Sequence, residues 1–283
     1  MSEILPPDDD SALELTFQDV LDTERKGERK RRFERFALAA LSSIPWVGGF
    51  LSASASASAE ADQFKINEVH RRWLEEHARK LHLLGQVLGE MTNRIEGFGP
   101  EGHDRLETEA YLSLIRQGFR TWDESATEEK RRLVQALLTS AAGTALCSDD
   151  VVRLFLDWIE RYHEIHFAVI CEVYSNPGIT RLGIWTNIYG HPERDDSPEA
   201  DLFRLLIHDL STGRVIRQHR PVNAYGQFIK KPKSSSSPSS PVMKSAFDDT
   251  EGYELSELGK QFVHYTMSEI VPRIGTDQEN PQP

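Results

Sequence analysis

The sequence predicts a mainly α-helical protein of two domains, with a small β hairpin near its C-terminal end. Its 283 residues are enough to bury one large helical core and a smaller second one. Apolar residues recur at helical spacing, most clearly in a heptad row from Leu74 to Ile95. Two short segments further on, 215–219 and 252–255, instead have the alternating composition of paired strands.

The domain boundary is predicted near the start of a helix at residue 150. We expect a helical domain over 15–150 and a second domain over 151–273. Residues 1–14 are acidic and contain proline, which predicts a disordered tail, and 274–283 form a second tail. Serine and proline dominate the centre of a loop over 230–250, which we also expect to be disordered.

The elements of the first domain follow from charge and from helix-end signals. A helix that begins near Leu15 runs into a basic cluster at 24–35, where seven lysines or arginines accompany three glutamates. Residues 36–59 then carry no charge, and Pro45 predicts a bent hairpin there. A long helix over 60–95 is followed by a glycine-rich stop. Three further helices, each with an N-cap residue and an acidic first turn, are predicted over 104–122, 127–146 and 149–175.

After the 149–175 helix, the second domain continues with two short helices, over 180–189 and 197–213. A threonine caps the first of them, and a serine followed by proline begins the second. The two strands come next and are joined by the long loop. Ser256 then caps a final helix that extends to about Pro272.

The order of these elements resembles a winged helix, a fold of three helices and a strand pair called the wing. Segments 178–180, 205–216 and 253–262 carry the resemblance, which covers about 157–273 and is similar to MarR-like and PadR-like regulators. The resemblance implies a binding module rather than a catalytic one, with the 197–213 helix as the recognition helix. Fold alone does not identify the ligand.

The charge distribution of this segment differs from that of a protein that recognises a specific base sequence. The candidate recognition helix carries several carboxylates, whereas 214–246 holds seven basic residues and no acidic one in a chain of net charge −12. The sequence therefore predicts contacts to DNA or RNA through a basic wing. The alternatives are a solvated flexible wing and a surface for a protein partner. The predicted contact residues are Arg204, His208, Arg214, Arg217, Arg220, Lys230, Lys231 and Lys233.

The uncharged segment 36–59 permits three interpretations. It could be a membrane-active hairpin, held to an anionic membrane surface by the preceding basic cluster, and it then resembles the N-termini of HeLo-type cell-death helical domains. It could instead be the buried hairpin of a helical bundle, or a hairpin that is sheltered at rest and released on activation. The membrane-contacting residues of the first interpretation are Leu38, Leu41, Ile44, Trp46, Val47, Phe50 and Leu51.

Catalytic, metal and cofactor sites are not predicted. The run from His163 to His166 places its histidines three residues apart, whereas the zinc-protease pattern requires four. The glycines at 48 and 49 lack the lysine of a phosphate-binding loop. Cys147 and Cys171 have no metal-binding or disulfide spacing, which is typical of a reducing cytoplasm.

Taken together, the sequence predicts a non-enzymatic sensor or effector of bacterial type. Its winged helix would engage nucleic acid or a protein partner, and its helical domain would act at membranes or form a homo-oligomer through the 60–95 helix. The resemblance to HeLo-type cell-death domains implies phage defence or a toxin-like role. The alternative is a transcriptional regulator with an N-terminal dimerisation or ligand domain. We expect a cytoplasmic protein that is not exported and associates with membranes on activation.

Overall fold

The structure is a computed structural model, and it describes residues 28–59, 68–144, 146–191, 193–219 and 245–267. Over these residues the chain is mainly helical, with eleven helices and one three-stranded antiparallel sheet, which confirms the predicted class. The chain divides into two compact units between Glu160 and Arg161, ten residues after the predicted boundary. The predicted tails and most of the 230–250 loop lie outside the described residues.

The first unit is built from seven helices within the described part of the chain. Helix α5 packs against α1 and α6, and α3 packs against α4 and α6. Gly118 of α5 permits the close approach of α6, because a Cβ at this position would lie 2.6 Å from a methyl carbon of Leu138. In chain order the helices are α1 (Glu28–Ser42), α2 (Pro45–Ala59), α3 (Glu68–Glu96), α4 (Pro100–Glu107), α5 (Glu109–Glu124), α6 (Glu128–Gly143) and α7 (Asp149–Arg161).

The predicted heptad row lies on the buried face of α3. Leu81, Leu88 and Ile95 are buried, as are Leu84 and Met91 of the adjacent row. Their neighbours include α4 and α6 of the same unit. The apolar face that was predicted to mediate homo-oligomerisation is thus used inside the unit, and oligomerisation through the 60–95 helix stays a prediction.

Two of the predicted helices are each divided into two. Instead of one helix over 104–122 the structure has α4 and α5, because Thr108 takes an extended conformation (φ −77°, ψ 135°) and its hydroxyl accepts from the Tyr111 amide. Instead of one helix over 149–175 it has α7 and a helix that begins at Glu164, because His163 is extended. The Nδ1 atom of His166 accepts from the His163 amide at 3.1 Å and completes that cap.

The second unit surrounds a small sheet with four helices in the described residues. Strand β3 is central and pairs antiparallel with β1 and with β2, so the strand order is β1–β3–β2. In chain order the elements are α8 (Glu164–Ser175), β1 (Ile179–Thr180), α9 (Arg181–Tyr189), α10 (Pro198–Thr212), β2 (Ile216–Gln218), β3 (Gly252–Leu255) and α11 (Glu257–Thr266).

The predicted cap residues define these helices. The hydroxyls of Thr180, Ser197 and Ser256 each accept from the backbone amide three residues later, at the starts of α9, α10 and α11. The core lies between α8, α10 and the sheet, where Phe203 and Tyr253 are buried. This packing fixes α10 beside the strands β2 and β3.

Candidate functional site

A cleft of about 970 Å³ lies in the second unit between α10 and the strands β2 and β3. Leu205, Ile216 and Tyr253 contribute apolar surface to it, and the only carboxylate among its lining residues is Glu254. The basic side chains that line the cleft are Arg181, Arg204, His208, Arg214 and Arg217. The lining therefore carries an excess of positive charge, although the chain as a whole has a net charge of −12.

The structure brings half of the predicted nucleic-acid residues together in this cleft. Arg204, His208, Arg214 and Arg217 all line it. Arg181 lines it as well and was missed by the sequence analysis, because only the pairing of β1 with β3 places the start of α9 there. The remaining predicted residues, Arg220, Lys230, Lys231 and Lys233, lie outside the described residues.

Arg204 is partly neutralised by two aspartates. Its Nη1 atom donates to the Asp201 carboxylate at 2.7 Å and to the backbone oxygen of Asp195 at 3.0 Å. Its Nη2 atom lies 3.3 Å from Oδ1 of Asp195. The same oxygen accepts from the Ser245 hydroxyl at 2.8 Å and from the Ala246 amide at 2.9 Å. Asp195 thus fixes Arg204 and the segment preceding β3 at the same time.

Arg217 is neutralised across the sheet. It lies opposite Glu254 in the register of β2 and β3, and its Nε atom donates to Oε1 of that carboxylate at 2.8 Å. The other oxygen, Oε2, is 2.7 Å from Nδ1 of His219. Partial burial alone would raise the pKa of Glu254, but the hydrogen bonds from His219 and Arg217 outweigh it and lower that pKa below its ordinary value.

Arg181 makes a different set of contacts. Its Nε atom donates to the Tyr253 hydroxyl at 2.9 Å, and its guanidinium lies over the same ring at 5.6 Å from the centroid. No carboxylate in the described part of the chain pairs with it. Because a cation–π contact leaves the charge uncompensated, Arg181 retains its full positive charge for a ligand.

Arg214 lies at the turn from α10 into β2. Its amide donates to the Ser211 carbonyl at 3.2 Å, and the Val215 amide donates to Leu210 at 2.9 Å. These two bonds form a Schellman motif, in which Arg214 occupies the left-handed position with φ 60°. Its side chain is exposed, and among the described carboxylates none forms an ion pair with it.

The part of the exposed face of α10 around Leu202 and Leu205 has little capacity to read base edges. Leu202 and Leu205 are 48% and 53% exposed, and Asp201 is exposed beside them. Leucines provide no hydrogen bonds, and a carboxylate repels phosphate while pairing with few base edges. The arrangement suits contacts to an anionic backbone better than contacts to a specific sequence.

Comparisons with protein-family models, with curated proteins and with solved structures find no match for this chain. The resemblance to winged-helix regulators and the resemblance to HeLo-type domains therefore stay predictions from the sequence.

The uncharged segment forms the end of α1 and the whole of α2, and the two helices meet at a bend of 100° around Pro45. Among the described residues no single helix has both the length and the apolar character of a membrane span. Parts of α1 and α2, taken together as a bent pair, do meet that criterion of length and composition. The chain bends at Pro45, where the sequence predicts a bend.

Most of the predicted membrane-contacting side chains lie in the core of the first unit. Leu41, Ile44, Val47 and Phe50 are buried, and Trp46 is half-buried. Leu38 and Leu51 are 64% and 41% exposed. The buried side chains of α1 and α2 therefore contact their own unit in this conformation, as expected both for the buried hairpin of a bundle and for a hairpin that is sheltered at rest.

The described histidines and cysteines lack the grouping that a metal site requires. No group of three or more His, Cys, Asp or Glu side chains in the described ranges could hold a metal ion. His166 is buried, and burial lowers its pKa below the ordinary value. Its Nδ1 atom caps α8. Both cysteines are free thiols, and the Sγ atom of Cys171 lies 3.7 Å from the sulfur of Met267.

Proposed function

We propose that the second unit is a winged-helix module that binds nucleic acid through its phosphate backbone. The observation that carries the proposal is the cleft between α10 and the wing strands, which four arginines line. They come from four different parts of the chain: the start of α9, the middle of α10, the turn after α10, and β2. The element order from α8 to β3 and the strand order β1–β3–β2 support the winged-helix assignment.

Binding through this cleft would depend on salt and only weakly on sequence. Arginines that contact phosphates displace condensed counterions, which gives a linear fall of log affinity with log salt concentration. The exposed leucines on α10 add no base-edge hydrogen bonds. The net charge of −12 opposes general binding, so contact would be restricted to the cleft.

This weak sequence dependence favours a sensor or effector over a transcriptional regulator. A regulator needs base contacts, each worth about 1–3 kcal/mol of discrimination against a wrong base. A sensor that responds to nucleic acid as such needs only phosphate contacts. The helical unit would then act after binding, through release of the α1–α2 hairpin at an anionic membrane or through oligomerisation. The regulator stays as the alternative.

The test is fluorescence anisotropy of the purified protein with a short labelled duplex of arbitrary sequence, over a range of salt concentrations. The double variant Arg181→Ala with Arg214→Ala removes the two cleft arginines that have no described carboxylate partner. We expect its salt slope to be smaller by about 2 than that of the wild type, since each phosphate contact contributes about 0.9.

The matched control is the double variant Arg194→Ala with Lys260→Ala. It removes the same charge from the same unit, at exposed side chains that pair with Asp196 and Glu257 and do not line the cleft. This control should keep the wild-type slope. Absence of binding at low salt, or equal slopes for the two double variants, would show that the cleft is not a nucleic-acid site.

A further inference from the structure

Arg214 occupies a backbone position at which glycine is the usual residue. In a Schellman motif the residue after the helix C-cap takes left-handed dihedrals, and a side chain there clashes with its own backbone. Arg214 has φ 60° and is the one non-glycine residue with positive φ in the described part of the chain. An arginine at this position therefore lowers the stability of the fold unless its side chain makes a compensating contact or serves a function.

A glycine lies directly before it, but for another reason. Gly213 has φ −68° and ψ −3°, which any residue adopts. It has to be glycine because a Cβ there would collide with the hydroxyl of the buried Tyr162. The glycine thus accommodates a neighbouring side chain, and the strained backbone position is left to an arginine.

The four cleft arginines differ in the charge that they can offer to a ligand. Arg204 and Arg217 are held by carboxylates at 2.7 and 2.8 Å. An anion that recruits either of them must compete with that carboxylate. Arg214 is exposed, lines the cleft and has no ion-pair partner among the described residues. Arg181 is the other arginine that keeps an uncompensated charge.

We infer that Arg214, together with Arg181, forms a binding site for a phosphate group, and that Arg204 and Arg217 position the walls of the cleft. The inference rests on the proposed function and narrows it, because it names the group that is bound and the side chains that bind it. The backbone strain at Arg214 persists because the guanidinium is presented to the ligand from this position.

The inference predicts effects of opposite sign on stability and on binding. Arg214→Gly relieves the left-handed strain and should raise the midpoint of thermal unfolding by roughly 2–4 °C. The same variant should bind the labelled duplex about tenfold more weakly, as expected for a lost charge-assisted contact. Arg214→Lys keeps the charge and the strain, so its midpoint should equal that of the wild type and its affinity should fall only about twofold to threefold.

A second probe separates this inference from the proposed function. Inorganic pyrophosphate should raise the unfolding midpoint of the wild type and of Arg214→Lys, but not that of Arg214→Gly. If pyrophosphate raises the unfolding midpoint in this way while the duplex does not bind, the proposal of nucleic-acid binding is wrong and the inference of a phosphate site is supported. If Arg214→Gly binds the duplex and pyrophosphate like the wild type, the inference falls and the proposed function is untouched. A lowered unfolding midpoint of Arg214→Gly in the absence of ligand would also overturn it, since the side chain would then stabilise the fold.

Discussion

The indole nitrogen of Trp46 donates a hydrogen bond to the carboxylate of Asp123 at 2.9 Å. Trp46 lies in the first turn of α2 and Asp123 in the last turn of α5, so the bond joins the hairpin to the rest of the first unit. The indole also meets the ring of His77 edge-on, with 4.9 Å between the centroids. The polar and aromatic contacts of one side chain thus help to hold α2 in place.

Removal of this bond should loosen the hairpin. Asp123→Ala leaves the half-buried indole N–H without its acceptor, and we expect a loss of about 1–2 kcal/mol in the free energy of unfolding, measured in urea. Asp123→Asn keeps an acceptor oxygen and should lose less than half of that. Equal losses for the two variants would show that the negative charge of Asp123 stabilises the unit, rather than the hydrogen bond.

Membrane association of the hairpin should require its release. We expect the wild-type protein to stay with the soluble fraction in flotation with anionic liposomes, because four of the seven predicted membrane-contacting side chains are buried and Trp46 is half-buried. Asp123→Ala should increase the floating fraction if the hairpin is the membrane-binding element.

The appropriate control adds Leu38→Glu and Leu51→Glu to Asp123→Ala. These two leucines are exposed, so the added charges leave the core intact and oppose only lipid contact. Substitutions at Leu41 or Val47 would instead place a charge in the core. Flotation that persists in the triple variant would exclude the hairpin as the lipid-contacting element.

Gly213 should tolerate alanine only when Tyr162 has lost its hydroxyl. In the wild type Gly213→Ala should cost about 1–3 kcal/mol, because the new methyl group overlaps the tyrosine oxygen and the tyrosine is buried. In a Tyr162→Phe background the cost should fall by at least half, as a double-mutant cycle of thermal or urea unfolding would show. A cost that is the same in both backgrounds would mean that backbone conformation, and not this contact, selects glycine.

The cross-strand carboxylate of Glu254 should make the second unit more stable at neutral pH than in acid. Its pKa is lowered in the folded protein, so its contribution is fully present above the unfolded-state pKa of about 4.3 and is lost as the pH falls through the folded-state value. Glu254→Gln should therefore unfold at a lower temperature than the wild type at pH 7, and the difference should vanish in strong acid. A difference that grows on acidification would contradict this linkage.

Local signals predicted much of the second unit. The hydroxyls at Thr180, Ser197 and Ser256 lie where helices begin, and β3 has the predicted bounds of 252–255. These features depend on residues within three or four positions of each other, which a single sequence shows directly. The break before α8 was missed because a histidine ring nitrogen, an uncommon capping group, completes the cap.

The site was only partly predictable. Four of its basic residues follow from the charge pattern of 204–217, but Arg181 is 23 positions before Arg204 in the sequence and reaches the cleft only through the pairing of β1 with β3. The neutralisation of Arg217 depends on the register of β2 and β3 across a long loop. The uncharged hairpin could not be assigned to core or membrane from its composition, and its burial is a matter of tertiary packing.

The two internally paired arginines also suggest how the affinity of this cleft could change during evolution. A variant that loses Asp201 or Glu254 would gain effective positive charge without acquiring a single new basic residue. Affinity for anions can therefore rise by small steps, each of which removes one carboxylate, while the arginines are unchanged. Such variants would trade fold stability for ligand binding, one carboxylate at a time.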